Sequence, residues 1–142
     1  MQLKWSLYVQ CFTFWDKGVY YSMVIAAVDP NKADLKALIK YLRLAYPDCE
    51  VVMFTDPLDA AKYIRDNPID VLFTEAAMLG MTGFGLQEAA QTAQPAVLTV
   101  FVTATDAYAG KALRARAAGY VIKPVTREAV RDSLRETKFG FD

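Results

Sequence analysis

From residue 23 onward, short runs rich in β-branched residues alternate with longer stretches of helical spacing, and this beat restricts the fold more than any other feature. The expected strands are Val24–Val28, Glu50–Phe54, Val71–Thr74, 97–102 and 120–122. All five are short and mostly apolar. A sheet with one wet face would alternate apolar and polar side chains, whereas continuous apolar runs fit parallel strands covered on both faces.

The intervening stretches carry helix signals. Leu35, Leu38, Ile39 and Leu42 recur at i, i+3, i+4 and i+7, one buried stripe on a first helix that Tyr46-Pro47-Asp48 ends. Asp56-Pro57 sets an N-cap acceptor beside the residue best tolerated at the first helical position, opening a second helix toward Asn67-Pro68. A third helix is expected from Gly83. Asp106 is expected to cap a fourth that stops at Gly119, and Thr126 a fifth, with Val125 and Val130 as its hydrophobic staple. Right-handed crossovers turn this series into a three-layer, doubly wound (βα)5 fold of flavodoxin-like type. The expected parallel strand order is 2-1-3-4-5, which periodicity alone does not fix.

Residues 23–142 are therefore read as one α/β domain, with residues 1–22 as an N-terminal extension. In that extension Leu3, Trp5, Leu7, Val9 and Cys11 alternate with Lys4, Ser6, Tyr8 and Gln10 as in a strand, and Asp16-Lys17-Gly18 could turn the chain back. A strand or hairpin and a disordered leader are both open. The stretch suits neither a signal peptide nor a membrane span, because Gln10 and Thr13 interrupt it and no small-residue cleavage site follows.

Composition narrows the function classes. Sixteen basic residues balance sixteen acidic ones, so no overall field favours nucleic acid, and the run from Lys111 to Arg116 reads as a solvated helix face. The chain has no histidine, which excludes histidine-dependent catalysis, and Cys11 and Cys49 lack metal-ligand spacing. In open parallel sheets, ligands bind beyond the carboxyl ends of the strands, so the polar residues found there matter most. Asp29 follows the first strand, Glu75 the third, Thr103 closes the fourth, and Lys123 follows the fifth just before Pro124. Two carboxylates, a hydroxyl and an ammonium on one rim suit Mg²⁺ and a phosphoryl group.

Five ordered motifs carry a resemblance: Val28-Asp29-Pro30, 70–75, 78–84, Phe101-Val102-Thr103-Ala104 and 120–124. Together they resemble the receiver domain of bacterial two-component response regulators over roughly residues 23–138. The resemblance implies that Asp29, Glu75 and the carbonyl of Ala77 occupy the Mg²⁺ positions and that Glu75 stands at the phosphoacceptor. It also makes Thr103 the switch hydroxyl, Tyr120 the switch aromatic, Lys123 the phosphoryl-contacting lysine and Pro124 the proline of a cis bond.

Two departures set this chain apart. Glu75 replaces the acceptor aspartate, adding a methylene of roughly 1.5 Å that moves the carboxylate out of position for in-line attack. Pro30 replaces the second acidic residue after the first strand and removes an oxygen ligand, so weakened Mg²⁺ binding is expected. Leu79 and Thr82 also depart from the usual proline and aspartate, which suggests a loop no longer held to one geometry.

The reading is a cytoplasmic, atypical receiver, or pseudo-receiver, that is phosphorylation-independent, not an enzyme, and acts by protein–protein interaction. Its partners would be a sensor kinase or a downstream effector, met through the fourth helix, fifth strand and fifth helix, with a homodimer as a further form. Neither membrane nor direct nucleic-acid contact is expected, since only Phe139-Gly140-Phe141-Asp142 follow the fifth helix. The alternative is a small-molecule or flavin-binding flavodoxin-like module. It has little support, because Asp29-Pro30-Asn31-Lys32 stands where a glycine-rich phosphate loop would be.

Overall fold

The computed structural model describes residues 13–16 and 19–135, with side chains from residue 22. A short antiparallel hairpin comes first, β1 (Thr13–Asp16) with β2 (Val19–Ser22), in a register that sets Thr13 opposite Ser22. The strand-like alternation from Leu3 to Cys11 lies outside the described residues.

Five parallel strands follow: β3 (Val24–Val28), β4 (Glu50–Phe54), β5 (Val71–Thr74), β6 (Leu98–Thr103) and β7 (Gly119–Ile122). Their order in the sheet is β4-β3-β5-β6-β7, the 2-1-3-4-5 arrangement expected from the beat of the sequence. The chain starts in the middle and reverses direction between β3 and β5, which opens a crevice beyond their carboxyl ends.

Among the described residues five helices cover the sheet: α1 (Lys32–Ala45), α2 (Pro57–Asp66), α3 (Gly83–Ala93), α4 (Ala109–Arg114) and α5 (Arg127–Ser133). Strand side chains alternate between two cores. On one face Ile25, Ala27, Phe73 and Val100 pack with Leu38 and Leu42 of α1 and Val130 of α5. On the other, Ala26, Val28 and Leu72 meet Ala60 and Ile64 of α2 and Leu86 and Ala90 of α3. Each fully buried Leu or Ile contributes about 2 kcal/mol from its removal from water. Phe101, Ala76 and Ala112 form a smaller cluster under α4, joined by Phe84, Tyr108 and Tyr120.

Two expected caps and the expected staple are in place. The Asp56 carboxylate accepts the Leu58 N–H with Pro57 next to it, Thr126 accepts the Ala129 N–H, and Val125 and Val130 share one core. The fourth helix differs. It is only six residues long, and Asp106 does not cap it with its side chain. Instead the Thr105 hydroxyl accepts the Ala107 N–H, and the backbone carbonyl of Asp106 accepts the Ala109 N–H. The helix ends in a turn where Arg116 takes the left-handed conformation, φ 58°. There the Arg116 and Ala117 N–H groups donate to the carbonyls of Leu113 and Ala112.

Candidate functional site

The sheet's hydrogen-bond ladder continues one residue past its strands and so fixes the rim. Asp29 N–H donates to the Phe54 carbonyl (3.1 Å), Glu75 N–H to the Val28 carbonyl (3.0 Å) and Lys123 N–H to the Thr103 carbonyl (2.9 Å). The backbones of Asp29, Glu75 and Lys123 are thus set by the strands themselves, and their side chains converge over the crevice. Lys123 precedes a cis peptide bond to Pro124, as the sequence implied.

Lys123 is the centre of the arrangement. Its Nζ donates to Asp29 Oδ2 at 2.7 Å, Glu75 Oε1 at 2.9 Å and Asp34 Oδ2 at 2.9 Å. The remaining oxygens are also engaged: Asp29 Oδ1 accepts the Asn31 N–H at 2.9 Å, and Glu75 Oε2 accepts the N–H groups of Ala76 (2.6 Å) and Ala77 (3.1 Å). Ala77 therefore meets Glu75 through its N–H. Thr103 is buried beside the glutamate. Tyr120 packs against the Phe101 cluster, and its hydroxyl donates to the Thr105 carbonyl at 2.7 Å.

Asp34 was not among the residues singled out from the sequence. Asn31 is the N-cap of α1, its side-chain oxygen accepting the Asp34 N–H at 3.0 Å, so Asp34 lies in the first turn, above the end of β3. Its position three residues after a capping Asn was the available signal.

The two core carboxylates titrate in opposite directions. Burial, the largest influence on Asp29, raises its pKa above 3.8, and the nearby Glu75 charge adds to the rise, while Lys123 and the Asn31 N–H oppose it. Burial also works to raise Glu75, but Thr103, Lys123 and the Ala77 N–H outweigh it and hold the carboxyl below 4.5. Burial acts to lower the Lys123 pKa, yet its three carboxylate partners raise it far above the usual lysine value.

The loop after β5, which carries Leu79 and Thr82, leads directly into α3. Thr82 Oγ1 accepts the Gly85 N–H and so caps α3, and Gly83 N–H donates to the Ala76 carbonyl at 2.8 Å. A side chain at Gly83 would collide with the backbone carbonyl of Glu75, so α3 starts in direct contact with the site. Among the described residues, no group of three or more Asp, Glu, His or Cys side chains is arranged to hold a metal ion. No helix among them is long and apolar enough to cross a membrane.

The five-stranded parallel sheet in this order, with Asp29, Glu75, Thr103 and Lys123 gathered at the strand reversal, is of the receiver type. The pattern that defines the response regulator receiver domain matches residues 25–135, and the chain belongs to that family. It is 33% identical over 90 residues to the sensory transduction protein LytR of Streptococcus agalactiae, covering 63% of this chain and 36% of that protein. The chain thus spans little more than a third of the curated relatives it matches. Its fold is that of a CheY-like receiver domain protein from Methanospirillum hungatei (TM-score 0.72, 21% identity, 83% of this chain and 94% of that one). A receiver domain protein from Clostridium thermocellum is similarly close (TM-score 0.69, 19% identity, 82% and 94%). Receiver domains are in general non-enzymatic signalling modules of two-component systems that interact with kinases and effector domains, and they commonly bind Mg²⁺ at the acidic site.

Proposed function

We propose that residues 23–142 form a receiver that signals without phosphorylation, with residues 1–22 as an extension, and that the Glu75 carboxylate stands where a phosphoryl group would otherwise be recruited. The observation that carries this reading is that both oxygens of Glu75 are already occupied, one by Lys123 and the other by the Ala76 and Ala77 N–H groups. These donors are of the kind that would receive phosphoryl oxygens. Thr103 and Tyr120 then serve a fixed arrangement, the Tyr120 hydroxyl tied to Thr105 and its ring to the Phe101 cluster.

The residues present fit Mg²⁺ poorly. Asp29 Oδ2 and Glu75 Oε1, the oxygens a divalent ion would take, both rest on an ammonium, and Pro30 supplies none. The group is still net negative, so weakened binding follows rather than none. Output runs through protein contacts on α4, β7 and α5, where Leu113 is 79% and Ile122 44% exposed. A sensor kinase, a downstream effector or a second copy of the chain would meet that face, in the cytoplasm. The small-molecule alternative draws no support from the loop after β3, which closes on itself through Asn31 and Asp29.

The test is intact mass after incubation with acetyl phosphate and Mg²⁺, on the native chain and on a Pro30→Asp, Glu75→Asp double variant. The native chain should remain unmodified and the double variant should gain one phosphoryl group. A phosphorylated native chain would overturn the proposal.

A further inference from the structure

The flank of α1 turned away from α5 carries a feature unrelated to the acceptor site. Lys32, Lys36, Lys40 and Arg43 follow at i, i+4, i+8 and i+11, one exposed stripe about 16 Å long. They border a groove of about 800 Å³ between α1 and β4, the edge strand of the sheet. Its floor is apolar, made by Met53, which is 55% exposed, over the outer edges of the buried Leu35 and Ile39. The other side of α1 packs against α5.

Among the described residues, none of the four stripe cations forms an ion pair with a carboxylate. Lys40 lies over the Tyr41 ring at 5.3 Å, a contact that leaves its charge in place. In a chain with no net charge, four cations along one apolar groove are a local asymmetry.

We propose that this groove docks an acidic amphipathic helix of a partner protein, with carboxylates along its edge matched to the basic stripe and apolar side chains set on Leu35, Ile39 and Met53. The apolar floor favours such a helix over nucleic acid or a lipid surface, which would use the cations and leave the floor idle. The surface lies apart from the α4-β7-α5 face, so the domain could hold two partners at once.

The test uses the full chain, isotope-labelled, and a synthetic helical peptide of about five turns with glutamates on one edge and leucines beside them. Amide shift changes should cluster on α1 and β4. Lys36→Glu with Lys40→Glu should weaken the dissociation constant at least about tenfold, and Lys62→Glu, on α2, less than about twofold. Circular dichroism of each variant confirms that it folds. Equal weakening by the two substitutions, no loss when the peptide's leucines become serines, or tighter binding to phosphatidylglycerol vesicles or a DNA duplex would each overturn the proposal.

Discussion

Nζ of Lys123 and Oε1 of Glu75 lie 2.9 Å apart, and the same nitrogen holds two aspartates from α1 and the end of β3. The ammonium is 12% exposed, as is the glutamate, so water screens this group far less than it would a surface pair. Removing the cation leaves three like charges facing one another. Lys123→Ala should therefore cost about 3 kcal/mol in urea denaturation at neutral pH. A loss under about 1 kcal/mol would show that water enters and screens the cluster.

Acid should act on this group in two opposed ways. Glu75 has its pKa lowered on folding, so its contribution is present above about 4.5 and is lost as pH falls through the lower folded value. Asp29 has its pKa raised, so ionising it on the way up from 3.8 removes stability. At neutral pH, Asp29→Asn should be better tolerated than Glu75→Gln, and only the latter should flatten the acid limb of stability against pH. Denaturation of both variants from about pH 3 to 7 separates the two contributions.

Alkaline pH reports on a different residue. Tyr46, at the end of α1, is 3% exposed, and burial pushes its hydroxyl from 10.0 up to about 12, with the Arg131 charge working in the other direction. Above pH 10 the unfolded tyrosine ionises first, so stability falls until the folded group follows near 12, by about 3 kcal/mol in all. Lys123, raised above 10.5, loses its contribution in the same range and beyond. Tyr46→Phe should therefore remove part of the alkaline loss, and thermal melts at about pH 9 and 11.5 would measure how much.

Arg116 occupies a left-handed position that suits glycine, at φ 58° after α4. Arg116→Gly should raise stability by about 1 kcal/mol by relieving contact between Cβ and the backbone. The buried Gln87, whose Nε2 donates to the Ala115 carbonyl at 3.0 Å, keeps the turn in place in either variant. An unchanged urea midpoint would mean that the extra freedom of glycine in the unfolded chain cancels the gain.

The strands were legible because burial on both faces leaves an unbroken apolar run, and the rim residues followed from where those runs stop. Asp29, Glu75, Thr103 and Lys123 meet where the strand order predicts. Asp34 was not legible because its side chain enters the site from a helix, and the turn that aims it depends on the Asn31 cap. Asp106 misled for a related reason. A capping carboxylate is recognisable by residue type, but the start of α4 is set by the Phe84, Phe101 and Tyr108 packing beneath it, which local sequence does not display. The close approach of Gly83 to the Glu75 carbonyl, eight residues back in the chain, was hidden likewise.

Lys123 bonds to partners 94, 89 and 48 residues earlier. During synthesis the three carboxylates emerge long before their cation, so none of them has this partner until residue 123 is available. The closing contact of the site is thus also among the last that the growing chain can make, and the rim of the sheet gains its cation only when its final strand is in hand.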